Sequence, residues 1–294
     1  MKRRQLLGIA IAIACTLAAV FLFDWHGIAT ALKDVRLGFL IGSGIGLLVM
    51  AALLRGLRWL VMLGLPLTWA GVAQSTLVNG AAAGLAVVTP LQIGEALKLR
   101  LTPEVGWRSG MSAFVVERGL DLSGVIGVLL GGLAAHAGYG WATPLLLLAP
   151  VASGQALILC SSKLHLLPQR LQPLLEISHQ PRRILIASLL TVPLWLLSIW
   201  LWQCVAASIG IHLDMTSVSI LLGCVVLSSV ASMAPAGLGI SELGTRGVMI
   251  WLGFSVADAE ATAIGLRLFL GPMIVVFGIA CFASMTTLRQ RSSS

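Results

Sequence analysis

The sequence predicts an all-α polytopic membrane protein, with about six full transmembrane helices and two re-entrant, broken helical hairpins set in an inverted repeat. Three observations carry that expectation. Hydrophobic residues make up 58% of the 294 positions and charged residues only 10%, with a mean hydropathy of +0.98. A soluble domain carries roughly a quarter charged residues, so this chain has too little polar surface to cover itself in water. Lys and Arg fall in short clusters between apolar segments: Lys2-Arg3-Arg4, Arg55/Arg58, Lys98/Arg100/Arg108, Lys163/Arg170/Arg182/Arg183 and Arg289/Arg291. That is the pattern of cytoplasmic membrane loops. Lastly, two apolar segments are interrupted by Gly and Pro in the same way.

The net charge of +8 does not point to nucleic acid, since the chain has one Tyr and no basic patch interleaved with aromatics. The five Cys lie scattered in apolar surroundings, without metal or redox spacing. The five His form no ligand motif, so neither a metal nor a cofactor is expected. The longest hydrophilic interval, Ser162 to Arg183, is too short to fold alone, which leaves residues 1–294 as a single membrane domain.

Lys2-Arg3-Arg4 followed by apolar Leu6 to Phe23 reads as a retained first span with its N-terminus inside, because no clear cleavage site precedes Asp24. Leu37 to Leu54 is the second span, ending at Arg55-Gly56-Leu57-Arg58-Trp59. Anchoring at the cytoplasmic interface is the plain structural role for that basic pair. Trp69 to Arg100 is apolar but carries Gln74, Asn79, five small residues from Gly80 to Gly84, and Pro90. Such breaks are tolerated at membrane depth only where protein or a water-filled cavity surrounds them. Trp107 to Ala135 is a long span, Trp141 to Cys160 another, and Ile184 to Ile209 a further one. Val218 to Met233 leads into the second broken segment, Ala234 to Arg246, and Ala261 to Met285 is the last span.

The broken segments share a pattern: Pro90…Gly94-Glu95…Lys98/Arg100 in one, Pro235…Gly237…Gly239-Ile240-Ser241-Glu242…Arg246 in the other. Each Glu is followed, twenty-three or twenty-five residues on, by an Arg inside the next span, Arg118 or Arg267. If both segments enter the membrane and return to the same side, fourteen of the nineteen Lys/Arg lie inside, two outside and three within. A single crossing at each would put the Lys163–Arg183 interval outside, against the positive-inside rule. The hairpins then enter from opposite faces. The half repeats cover about 37–135 and 184–285, an architecture typical of transporters.

Chemistry concentrates where charge meets apolar helix. Glu117, Arg118 and Asp121 lie eight to twelve residues in from Ser109, roughly 12–18 Å deep at about 1.5 Å per residue. Glu117 and Asp121 share a helical face at i,i+4, leaving one acid in search of a partner: Lys98, Arg55, Arg246, Arg267, a proton or a substrate cation. A purely structural ion network is the alternative. Glu95 and Glu242 follow glycine-containing turns, where a helix cap is their bland role and a pathway contact their functional one.

Arg55-x-x-Arg58-Trp59, Pro90…Gly94-Glu95-Ala96-Leu97-Lys98, Glu117-Arg118-x-x-Asp121 and Pro235-Ala236-Gly237-Leu238-Gly239-Ile240-Ser241-Glu242 together resemble the lysylphosphatidylglycerol synthase transmembrane family. This is the flippase-like domain also found at the front of multiple-peptide-resistance proteins, and the resemblance runs over nearly the whole chain. It implies handling of lipids with polar headgroups: aminoacyl-phospholipids, hopanoids or polyprenyl-linked sugars. The bifunctional members continue into a soluble aminoacyl-transferase domain. This sequence ends at Ser294 without one, so synthesis of lysyl-lipid is not expected of it.

The expectation is therefore a non-enzymatic, multi-pass inner-membrane lipid flippase with both termini cytoplasmic. Its partners are membrane lipids and a separate lipid-modifying enzyme or glycosyltransferase. Substrate contact is expected at Arg55, Arg58, Glu95, Lys98, Glu117, Arg118, Asp121, Glu242, Arg246 and Arg267. Among these, Arg118, Arg246 and Arg267 would attract phosphate, while the acids would meet a cationic group or shuttle protons. The rivals are a non-transporting accessory and an intramembrane transferase. No HExxH, Gly-x-Gly-Asp or nucleophile elbow is present, which counts against proteolysis and acyl transfer.

Overall fold

The computed structural model describes residues 17–18, 20–33, 35–102, 105–161, 172–232 and 237–293, and every regular element among them is helical. Most of the first span, like Pro235, lies outside the described residues, as do the side chains of Pro90, Leu91 and Gln92. A short α1 (Trp25–Ala31) begins on Asp24, whose carboxylate accepts from the His26 and Gly27 amides.

Helix α2 (Leu37–Leu63) is 27 residues long and runs straight through the Arg55–Trp59 cluster that was expected to end it. Helix α3 (Trp69–Val88) starts on a Thr68 cap, and at 20 residues it is about 30 Å long, enough to cross a membrane by itself. The chain then folds back through a 3₁₀ segment (Pro90–Ala96) and the short α4 (Leu97–Leu101) before α5 (Trp107–His136). The first hairpin is thus one long arm and one short returning arm. Its tip is tied where the Gly94 amide donates to Thr89 Oγ1 at 2.8 Å. A Cβ at Gly94 would sit 2.5 Å from the backbone of Leu85, so only glycine lets the return pass so close to α3.

Trp141–Cys160 is not one straight span. It is α6 (Thr143–Leu147) and α7 (Ala149–Cys160), the whole Gly140–Cys160 run bending by 45°. Pro150 explains the break: it has no amide to donate back into α6, and its ring clashes with the preceding turn. The hydrophilic interval includes a 3₁₀ segment (Gln172–His179) docked on α5, where the Ile177 amide donates to Ser112 Oγ at 2.9 Å.

The second half runs through helices in a comparable order. Helix α8 (Pro181–Ser208) is followed by α9 (Met215–Ser232), capped by Asp214. Partial burial pushes the Asp214 carboxyl up, but hydrogen bonds from Ser217 and Thr216 outweigh it and hold it below its usual value. The chain returns through Gly237 and Gly239, with φ of 64° and 77°, a left-handed geometry that side chains resist. It then enters α10 (Ile240–Trp251), and α11 (Val256–Gly265) runs through a π-helical turn (Leu266–Leu270) into α12 (Gly271–Ser293). The last apolar span starts at Val256, five residues before the Ala261 start expected of it.

Among the described residues, four helices are long and apolar enough to cross a membrane: α2, α3, α8 and Val256–Thr287; the bent pair would make a fifth. Helix α5 is long enough at 30 residues, and it is set apart by the charges of Glu117, Arg118 and Asp121. Large apolar side chains face outward, as Phe21 and Trp69 do at 84% and 92% exposure, which suits lipid as the surrounding solvent.

Packing is reciprocal between the halves. Helices α2 and α8 pack on each other; α3 packs on α12 while α9 packs on α5. The α3–α12 contact is backbone on backbone: a Cβ at Gly84 would lie 2.8 Å from Gly278 Cα. Small residues allow that approach, and close van der Waals packing replaces the hydrophobic drive that lipid does not supply.

Candidate functional site

The longer α2 brings Arg58 inside the bundle. Its side chain is 1% exposed, and its guanidinium donates from Nη2 to Glu117 Oε1 at 2.7 Å and from Nη1 to Asp121 Oδ1 at 2.6 Å. A third bond runs from Nη1 to Thr191 Oγ1 on α8 at 2.9 Å. The plain structural alternative for Arg58, an interfacial anchor, therefore does not describe it. The acids it serves lie one turn apart on α5, close enough for one planar fork to reach both. Arg58 serves both acids and stood outside the candidates named for them, whereas Lys98, one of those candidates, does bond Glu117.

Lys98 completes the inner layer. It is fully buried, bonded by Nζ to Glu117 Oε2, and 3.4 Å from Glu95 Oε2. Its ammonium sits 4.6 Å from the centroid of Trp59 and 5.3 Å from that of Phe114, so two aromatic faces share its charge. Trp59 stood in the sequence only as the neighbour of Arg58 in a motif, and Phe114 was not singled out. Their one signal is position, with Trp59 next to Arg58 and Phe114 one turn before Glu117 and Arg118.

The outer layer is looser. Glu95 faces Arg118 Nη2 at 3.3 Å and Arg55 Nη1 at 3.8 Å; Arg118 also meets Asp121 at 2.9 Å. Arg55 is 36% exposed and Arg118 32%. Seven of the ten expected site residues, Arg55, Arg58, Glu95, Lys98, Glu117, Arg118 and Asp121, thus form one connected network between the first hairpin, α2 and α5. An unpaired charge at bilayer centre costs about 2.5–3.5 kcal/mol on insertion scales, so this pairing is what lets the residues sit there.

The other three lie in the second half. Glu242 opens α10 and forms an ion pair with Arg267 Nε at 3.3 Å; Arg267 stands in the π-helical turn. Turns of this kind recur at functional positions because they re-aim a side chain at the cost of one helical bond. The contact matches Glu95–Arg118 in length and in its members: a hairpin Glu, and an Arg from the next span. Arg246, expected with Arg118 and Arg267 to attract phosphate, is bound to Glu260 Oε1 at 2.8 Å and lies over Phe23 at 6.0 Å. Glu260 also accepts from the Asp24 amide at 2.9 Å, which ties the start of α1 to α11. Sequence reading passed over Glu260. Its signal was a carboxylate inside the small-residue run Val256–Gly265, seven positions and two turns before Arg267.

A cavity of about 240 Å³ is lined by residues from both hairpins. Thr89 reaches it from the first tip; Ser229, Gly237 and Ser241 reach it from the second; Arg267 borders it. Hydroxyls and one guanidinium in an otherwise apolar wall give a headgroup-sized polar spot inside the bundle. No group of His, Cys, Asp or Glu that would hold a metal ion occurs among the described residues.

A family model described as the lysylphosphatidylglycerol synthase TM region matches residues 5–278. No curated protein and no solved structure matches the chain.

Proposed function

The chain belongs to the lysylphosphatidylglycerol synthase TM region family, and from that premise we propose that it moves a polar-headgroup lipid between the leaflets of the inner membrane. The lipid class is an aminoacyl-phospholipid, a hopanoid or a polyprenyl-linked sugar. The observation that carries the reading is the duplicated Glu–Arg contact. Glu95–Arg118 and Glu242–Arg267 are each 3.3 Å long, each joins a hairpin to the following span, and each leaves about a third of its arginine exposed. A purely structural lock has no need of half-open arginines, one of which, Arg267, borders a cavity lined from both hairpins.

The reciprocal packing of α3 on α12 and of α9 on α5 supports an inverted repeat with hairpins entering from opposite faces. In that arrangement both termini are cytoplasmic, and the polar path runs between the hairpins. Discontinuous segments at the interface of inverted repeats are where transporters bind substrate. Arg118 and Arg267 contact the phosphate of the headgroup; Glu95, Glu117, Asp121 and Glu242 meet a cationic group or carry protons. Arg246 fixes Glu260 and is set aside from the path. A separate lipid-modifying enzyme or glycosyltransferase supplies or uses the moved lipid.

Purified protein in liposomes tests the reading. Reconstituted alone with a headgroup-labelled lipid, it is expected to raise the fraction of label reached by a membrane-impermeant quencher. A new lipid product with no movement would make it a transferase, and neither outcome would leave an accessory role.

A further inference from the structure

We infer that the Glu95 carboxylate is a tethered stand-in for a phosphate anion, held in a site made by Arg55, Lys98 and Arg118 that a lipid phosphate takes by displacing it. The inference rests on the lipid-transport reading and names how its first hairpin engages the substrate.

The distances divide the network in two. Arg58 holds Glu117 and Asp121 at 2.7 and 2.6 Å, and Arg118 holds Asp121 at 2.9 Å, lengths normal for charge-assisted bonds. Glu95 stands 3.3, 3.4 and 3.8 Å from its three cations, close enough to neutralise but too far for a strong bond to any. A carboxylate at the centre of three cations, bonded tightly to none, is an exchangeable ligand. Each cation keeps an anchor or an opening when it leaves. Lys98 retains Glu117, Arg118 retains Asp121, and Arg55 opens outward.

Charge gives a second, independent reason. Among the described residues the network joins four cations (Arg55, Arg58, Lys98, Arg118) to three carboxylates (Glu95, Glu117, Asp121), an excess of one positive charge. The ion pairs of the second half, Arg246–Glu260 and Glu242–Arg267, are balanced. A net positive cluster at membrane depth attracts an anion, so the first half is where phosphate is captured. A third observation agrees. Arg118 Nε is shut off from solvent and donates to no acceptor, leaving one edge of the guanidinium for an incoming oxygen.

Displacement has a mechanical result. Glu95 sits on the returning 3₁₀ arm and Arg118 on α5, so their contact pins the hairpin to the span. Phosphate at Arg118 undoes this contact while Lys98–Glu117 still holds the end of the arm, and return of Glu95 expels the phosphate. Binding and release thereby pass through one contact.

The test is binding, measured apart from transport. Purified full-length protein in detergent is titrated with dihexanoylphosphatidylglycerol, with inorganic phosphate and with uncharged dihexanoylglycerol, reading the shift in melting temperature. The phosphatidylglycerol is expected to stabilise the protein and dihexanoylglycerol to leave it unchanged. Removing the competitor in Glu95→Gln should lower the half-saturating concentration about tenfold, which is 1.4 kcal/mol of affinity. Arg55→Gln changes only a third-exposed side chain. It should raise that concentration several-fold without moving the melting temperature of the free protein. Stabilisation by phosphatidylglycerol but not by inorganic phosphate assigns the anion to a lipid. Equal stabilisation by both assigns it to free phosphate, and either supports the exchange site. Unchanged or weaker binding in Glu95→Gln, or unchanged binding in Arg55→Gln, overturns it. Liposomes that fail to move lipid while these shifts appear would sink the transport reading alone.

Discussion

Arg58, more than the exposed arginines, decides whether the bundle holds together. It neutralises Glu117, which is 1% exposed, and it spans α2, α5 and α8 through Glu117, Asp121 and Thr191. Removing one member of a buried pair costs about 3–5 kcal/mol, because the other charge stays buried. Arg58→Ala should therefore abolish stable expression, whereas Arg118→Ala should leave a folded protein, since Asp121 keeps Arg58. Fluorescence-detected size exclusion of the two variants checks this. Arg118→Lys goes further: an ammonium lacks the planar fork, so the variant should fold normally and lose most lipid movement. Full movement with Lys at 118 would leave Arg118 with no part beyond charge balance. The charged residues themselves were legible in the sequence, because ionisable groups in apolar helices are rare. Their partners were not. Arg58 and Asp121 are sixty-three positions apart, and only tertiary packing brings them together.

At the scale of elements, the breaks were legible and the lengths were not. Pro and Gly announced both hairpins because their backbone chemistry is local. Helix α2 outran its expected end because ion partners, Glu117 and Asp121 on α5 for Arg58 and Glu95 on the returning arm for Arg55, offset the cost of placing these charges in the bundle. The bend at Leu148 was missed although Pro150 marks it, since an unbroken apolar run outweighed one proline. The hairpin return depends on Gly94, whose added Cβ would press on the α3 backbone at 2.5 Å. Overpacking of that kind costs about 1–3 kcal/mol, so Gly94→Ala should lower the melting temperature and loosen the hairpin. Gly46→Ala is the matched control. Nothing lies within 4 Å of its Cβ, and the gain in helix propensity should leave stability equal or higher. Equal melting temperatures for the two variants would contradict the packed return.

For the whole molecule, hairpins that enter from opposite faces predict a definite topology. Ser109, His179, Tyr139 and Asp214 are all exposed; the first two lie by the start of α5, where Ile177 bonds Ser112, and Tyr139 lies just past its far end. Single cysteines at Ser109 and His179, in a background without the native Cys, should react with an impermeant maleimide only from the cytoplasm. Those at Tyr139 and Asp214 should react only from outside. Labelling of His179→Cys from outside would remove the opposed hairpins and the inverted repeat together. The central claim is that Glu95 and Glu242 act on the lipid rather than cap helices, and paired substitution to Gln tests it most directly. Glutamine keeps shape and hydrogen bonding and removes the charge, and a lost cap interaction alone would cost about 0.3–1 kcal/mol. Flipping rate in liposomes is measured against melting temperature for Glu95→Gln, Glu242→Gln and the double variant. The account predicts that each single variant melts close to the parent and flips severely less, with the double variant lowest. Near-parental flipping in the double variant would contradict it.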